Sequence, residues 1–142
     1  EQVTLSLGGK MDNVFNSPVE VTGTIRRITQ GLVVELGWGG YCNMGRTALL
    51  EAGNVMVALA DSRVRAINQP AMYAHLGLEI EAAKMVVLKT ASNFQFFGPW
   101  RKGLMRVDSP GMTQSDLYAF DWVRAPRPLY PFDDLPEWEA RP

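Results

Sequence analysis

Apolar and polar residues alternate from the start of the chain. Val3, Leu5 and Leu7 are interleaved with Gln2, Thr4 and Ser6, the period of a strand with one buried face. A second alternating stretch, Val19-Glu20-Val21-Thr22-Gly23-Thr24-Ile25-Arg26-Arg27-Ile28, predicts another strand. Gly23 in its middle predicts a bulge or a close backbone approach. Gln30-Gly31 is a turn signal, so Leu32-Val33-Val34-Glu35-Leu36 is expected to return as the hairpin partner of that strand. Ala48-Leu49-Leu50-Glu51 and Asn54-Val55-Met56-Val57-Ala58-Leu59 predict a second hairpin around Ala52-Gly53-Asn54. Between the two pairs, residues 37–45 hold four glycines with Trp38, Tyr41 and Met44. Such a loop can bring backbone close to another surface.

The period then changes. Asn68-Gln69-Pro70 is a helix-start signal, and Ala71 to Leu76 predicts a short helix stopped by Gly77. Met85-Val86-Val87-Leu88 is a continuous apolar run, which predicts a strand buried on both faces. Ser92 is an N-cap candidate for a turn or two of helix over Asn93 to Phe97, ended by Gly98-Pro99. Leu104-Met105-Arg106-Val107 predicts one more short strand, closed by Ser109-Pro110-Gly111. The fold class is therefore α+β: a mixed, strand-rich sheet built from hairpins, with two or three short helices.

The last seventeen residues hold five of the nine prolines, Pro126, Pro128, Pro131, Pro136 and Pro142, interleaved with Tyr130, Phe132 and Trp138. Proline at that density excludes helix and central strand. The aromatics argue against a free linker. Residues 1–142 read as a single domain, with 124–142 as an extended strap laid over it or over a neighbour.

Composition narrows the chemistry. With 46% hydrophobic and 20% charged residues, the chain is of ordinary globular type. Fourteen Lys+Arg against fifteen Asp+Glu give a net charge of −1, which lacks the electrostatic footprint of a nucleic-acid or anionic-membrane binder. No apolar run approaches the roughly 18–20 residues of a membrane span. Neither nucleic acid nor membrane is expected as a partner, and a cytoplasmic location is expected. The chain opens at Glu1 in mid-strand pattern, without methionine or signal segment, and is expected to be the C-terminal piece of a longer protein. His75 is the only histidine and Cys42 the only cysteine. One of each cannot make a Cys/His zinc site or an internal disulfide, and a Ser/His/Asp or Cys/His apparatus would have to use His75.

Several residues could carry chemistry, each with a plainer alternative. His75, in a short predicted helix, reads as structural, since a helical zinc motif supplies two histidines at i and i+4. Cys42 reads as a packed thiol rather than a reactive one. Gly8-Gly9-Lys10 lacks the longer loop and following helix of a phosphate-binding P-loop, yet Lys10 could contact an anion beside glycine-exposed N–H groups. Lys89-Thr90-Ala91-Ser92-Asn93 is the best-placed segment, joining a predicted buried strand to a predicted helix start, where α/β folds collect ligands. It is read equally as an anion site or as a capped helix start with a solvent-facing lysine. Asp133-Asp134 could be a paired carboxylate, or a solvated turn. Trp100-Arg101-Lys102 and Arg124 to Arg127 are basic clusters expected to pair with the domain's own carboxylates.

Taken together, Val3-Thr4-Leu5-Ser6-Leu7-Gly8-Gly9-Lys10, Val19 to Arg26, Met44-Gly45-Arg46-Thr47-Ala48-Leu49-Leu50, Val57 to Arg63, Val86-Val87-Leu88-Lys89, Asp108-Ser109-Pro110-Gly111 and Arg127-Pro128-Leu129-Tyr130-Pro131-Phe132-Asp133 carry a resemblance. In their order and spacing the chain resembles the C-terminal domain of MlrC-type proteins, a family of microcystin-degradation proteins and candidate zinc metallopeptidases. The Leu-Gly-Gly-Lys start and the Arg-Pro-x-x-Pro-x-Asp finish make the most specific pair. The resemblance implies a two-domain hydrolase whose N-terminal metal-binding domain, absent here, carries Asp and His ligands to zinc. It implies no catalytic residue, metal or cofactor in this fragment, and makes the N-terminal domain and a peptide or amide substrate its partners. Lys10, Lys89, Thr90, Ser92 and Asn93 would bind the substrate. The family commonly reads Lys-Ser-Ser-x-His-Phe-Arg after the buried strand, where this chain has Lys89-Thr90-Ala91-Ser92-Asn93-Phe94-Gln95. Asn93 and Gln95 can hydrogen-bond but cannot shuttle a proton or hold a charge at neutral pH.

Two readings from other classes stand beside this one. In the first, the chain is a non-catalytic interaction module whose rings, Phe120, Trp122, Tyr130, Phe132 and Trp138, dock on a partner or on a second copy in a homo-oligomer. In the other, it is a self-contained enzyme using His75 or Cys42.

Overall fold

Among the described residues six strands form: β1 (Gln2–Leu7), β2 (Val19–Gln30), β3 (Val33–Glu35), β4 (Tyr41–Asn43), β5 (Arg46–Ala52) and β6 (Val55–Ala60), with β4 falling inside the stretch read as a glycine-rich loop. They are seen in a computed structural model that describes residues 1–10, 14–109, 111 and 115–135. Two compact units make up the chain, Glu1–Arg106 and Val107–Pro142, and all six strands belong to the first. With short helical segments beside antiparallel sheets, the class is α+β, mostly β.

The main sheet has the order β1-β2-β5-β6, antiparallel throughout. Directly opposed residues share a face. The register sets Leu5 against Val21 and Leu7 against Val19, then Ile25 against Leu50 and Leu50 against Val57. One face is thus an apolar field, with Leu50 fully buried. On the other face, the Thr4 and Thr22 hydroxyls bond at 2.8 Å, Arg26 pairs with Glu51, and Leu49 enters the core. Of the two readings of Gly23, a bulge or a close backbone approach, the close approach is the one found there. A Cβ on Gly23 would lie 2.4 Å from the Glu51 carbonyl oxygen, whereas the register shift falls between Ile25 and Arg27.

The β5–β6 hairpin forms as predicted, but the hairpin expected between β2 and the 32–36 segment does not. β2 pairs with β5 instead, and β3 pairs with β4, setting Val34 against Cys42. Gly31 (φ 65°) and Gly45 (φ 63°) turn the chain out of the sheet and back, a backbone region open to glycine at little steric cost. They are joined by the Gly31 N–H donating to the Gly45 carbonyl at 2.8 Å. The turn signal at Gln30-Gly31 is real, but it starts an excursion rather than a return.

Helix α1 (Pro70–His75) starts at Gln69-Pro70 and is followed by Gly77 at φ 81°, as predicted. Met72 and Leu76, four apart and so on one face, are buried with Val34, Met44, Leu49 and Ala66 to form the core. Two predicted strands are absent. Residues 85–88 and 104–107 join no ladder among the described residues. Met85 and Val87 are 76% and 82% exposed, while Val86 and Leu88 are half-buried. One side of that run is anchored, not both. The segment after it is a 3₁₀ helix, Asn93–Trp100, which runs through Gly98-Pro99 instead of stopping there.

The second unit holds a 3₁₀ turn, Leu117–Ala119, with the Asp116 carboxylate accepting from the Tyr118 N–H at 3.0 Å. Residues 120–135 run through turns around a cluster of rings. The residues read after the Gly8-Gly9 pair (Met11, Asp12, Asn13), Pro110 of the predicted closing turn, and Pro136, Trp138 and Pro142 of the predicted strap lie outside the described residues. No helix among the described residues is long and apolar enough to cross a membrane.

Candidate functional site

The segment 89–93 is anchored by Asn68, shaped from within by Thr90 and followed by packed rings. Asn68 Nδ2 donates to the Lys89 carbonyl at 3.1 Å. Thr90 Oγ1 accepts from the Asn93 N–H at 3.0 Å and from the Ser92 N–H at 3.4 Å. Downstream, the Phe96 ring lies against Gly37, where a Cβ would come within 2.4 Å of it, and 5.5 Å from the Trp38 ring. Phe97 is buried, edge-on to Tyr73 at 5.6 Å. Thr90 therefore does the capping expected of Ser92, whose side chain makes no cap bond. A hydroxyl that accepts two backbone N–H groups is mostly committed to the fold.

Lys89 and Ser92 are exposed and Asn93 is half-buried. Together they offer an ammonium, a hydroxyl and an amide, groups that can bind and orient a polar ligand, and the amide cannot shuttle a proton. The buried strand expected to lead into them is absent, so their placement rests on Asn68 and Thr90 rather than on a sheet end. Lys10 is elsewhere. It follows Leu7, which pairs with Val19 at the start of β2. The β3–β4 excursion springs from the other end of that strand, 12 residues long at about 3.3 Å each. No hydrogen bond or ion pair among the described residues joins Lys10 to the 89–93 segment. Beside Lys10, a Cβ on Gly9 would fall 2.2 Å from the Ser17 carbonyl carbon, so that glycine serves close packing.

The other candidates have structural settings. His75 is exposed on α1. Cys42 packs against the core, its thiol 3.6 Å from the Asn43 carbonyl oxygen. Asp133 accepts from the Leu129 N–H at 2.6 Å and from Arg127; the backbone bond first, then the guanidinium, holds its pKa below the ordinary carboxylate value despite some desolvation. The Arg124–Arg127 cluster thus pairs internally through Arg127, as expected. Trp100 Nε1 donates to Glu81, and the Arg106 guanidinium lies 5.5 Å from the Phe94 ring centre. Tyr73 has its pKa raised by burial. No three His, Cys, Asp or Glu side chains among the described residues converge on a metal site.

Sequence reasoning missed Gln69. It is buried, its Oε1 accepts from the Gly37 N–H at 3.1 Å, and its Nε2 has no partner. The signal was present: glutamine is not among the favoured residues before a proline-led helix, so its place there implies another task. Asn68, read only as part of the helix start, anchors Lys89.

Comparison with known proteins follows from this fold. The chain matches the family model described as "MlrC C-terminus" over residues 1–124, a span that includes Leu7-Gly8-Gly9-Lys10 and ends before Arg127-Pro128. Among solved structures it is similar to a "Putative metallopeptidase" from Mesorhizobium sp. BNC1, with 24% identity and a TM-score of 0.75. The match covers 98% of this chain and 28% of that one, so the chain spans little more than a quarter of that protein's length. At that identity the likeness is one of fold. No curated protein matches. With the family match running over most of its length, the chain belongs to the MlrC C-terminus family.

Proposed function

We propose that this chain is the C-terminal, cleft-forming part of a zinc-dependent peptidase or amide hydrolase, with the metal held by a separate N-terminal domain. On this reading the chain is catalytically incomplete alone, and the whole enzyme acts on peptide or amide substrates, microcystin-like cyclic peptides among the candidates, in the cytoplasm. The observation that carries it is the family match, joined to a fold shared with about a quarter of the longer "Putative metallopeptidase" chain. The described residues of this chain do not themselves fit a zinc site, so no step through the metal is assigned to them.

Their part is to bind. Lys89 would meet a carboxylate or a polarised carbonyl, while Ser92 and Asn93 would take hydrogen bonds from or to a backbone amide. Thr90 would hold that stretch in shape through the Asn93 N–H. Lys10 would contact an anionic group at a separate point of the substrate. Asn93 positions without shuttling protons. The test is steady-state kinetics on the longer chain the proposal requires. Hydrolysis should depend on zinc, and Lys89→Ala should raise KM roughly tenfold, about 1.4 kcal/mol of binding, with kcat changed far less. Amide hydrolysis by the 142-residue chain alone would overturn the proposal.

A further inference from the structure

The second unit carries an open pocket of about 340 Å³ lined by Tyr118, Phe120, Asp121, Trp122, Arg127 and Phe132. That volume lies at the small end for ligand sites and suits a head group or a single side chain. Its rings are fixed against one another: Tyr118 and Phe132 at 5.2 Å and 74°, Trp122 and Phe132 at 5.5 Å, Phe120 and Trp122 at 5.9 Å. The two polar handles on these rings are already committed. Tyr118 OH donates to the Pro131 carbonyl at 3.0 Å, and Trp122 Nε1 donates to the Leu117 carbonyl at 2.6 Å. They hold the rings and are not presented to a ligand.

The electrostatics follow from that. Aromatic faces are negative. The Arg127 charge is matched by Asp133, whereas Asp121 makes no ion pair among the described residues. With Arg127 balanced by Asp133 from outside the lining, Asp121 is left as a carboxylate among π faces with no ion-pair partner among the described residues. Arg127 itself, 5.8 Å from the Phe132 ring centre, is a guanidinium already lodged against these rings. We propose that this pocket binds an organic cation of guanidinium or alkylammonium type, held by the faces of Trp122 and Tyr118 and by the Asp121 carboxylate. Aromatic faces with a nearby carboxylate are the usual arrangement for such cations. The pocket belongs to the second unit and Lys89 to Asn93 to the first, and its binding does not depend on hydrolysis.

The test uses the 142-residue chain and follows the indole N–H resonance of Trp122 by NMR. N-acetyl-arginine amide and tetramethylammonium are the cationic probes, and N-acetyl-citrulline amide is the neutral isostere of the first. Both cations are expected to shift the resonance saturably, with citrulline binding at least fivefold more weakly. Asp121→Asn should weaken both cations about fivefold. Should that variant lose its ring-shifted signals, raising the salt concentration must weaken both cations in the unaltered chain. Tighter binding of the arginine amide than of tetramethylammonium identifies a polypeptide side chain as the occupant, and equal binding a free amine. No saturable shift, or equal binding of citrulline, overturns the proposal.

Discussion

The Asp133 carboxylate takes the Leu129 N–H and the Arg127 guanidinium together, which explains why Arg-Pro-x-x-Pro-x-Asp forms a unit. The first and last residues of the motif bond each other, and Leu129, between them, donates its amide. Because the folded pKa of Asp133 is lowered, the stabilisation is present above the unfolded carboxylate value, near pH 4. It is lost as pH falls through the lower folded value. The Leu129 amide proton is expected to move upfield on that acid limb, and Asp133→Asn should abolish the titration in an NMR pH series. Asn93 shows the opposite case. Its side chain has no titration at all, so whatever it does in a site is independent of pH over the neutral range.

At the scale of elements, what could be read from the chain is what is local. The alternation of β1 and β2, the Gly53 hairpin and the Pro70 helix start are each set within a few residues, and each stands where expected. Strand partners are not local. Gln30-Gly31 signals a turn but cannot say that the returning strand, β3, will ladder with β4 while β2 waits for β5. Met85 to Leu88 is apolar enough for a buried strand, yet a strand needs a neighbour to bond, and none among the described residues pairs with it. In the candidate site, Ser92, read as the cap, is exposed without a cap bond, whereas the solvent-facing lysine at Lys89 was legible. That Thr90 caps and Asn68 anchors was not, because both depend on contacts across the fold. Gln69 ties the α1 start to the excursion through Gly37. Gln69→Leu would remove the acceptor of the Gly37 N–H, at about 0.5–1.5 kcal/mol for one net hydrogen bond. A denaturant melt should show this loss, with Trp38 fluorescence reporting the loosened contact to Phe96.

On the scale of the whole molecule, every strand among the described residues and all six residues of the main core lie within Glu1–Arg106. A chain ending at Arg106 is expected to keep the antiparallel-sheet circular dichroism and to unfold cooperatively; a spectrum without strand signal would show that the second unit is required for folding. That division suits the two proposed tasks, with Lys89 to Asn93 in the sheet-bearing unit and the ring cluster in the other. The excursion between Gly31 and Gly45 extends the same logic to change over generations. Its root is locked by the Gly31–Gly45 bond and by buried Val34 and Met44, while its tip at Gly39-Gly40 closes a ladder of only three pairs. Insertions at that tip would lengthen a finger without moving β2 from β5, so related chains can vary there in length and still build the same sheet.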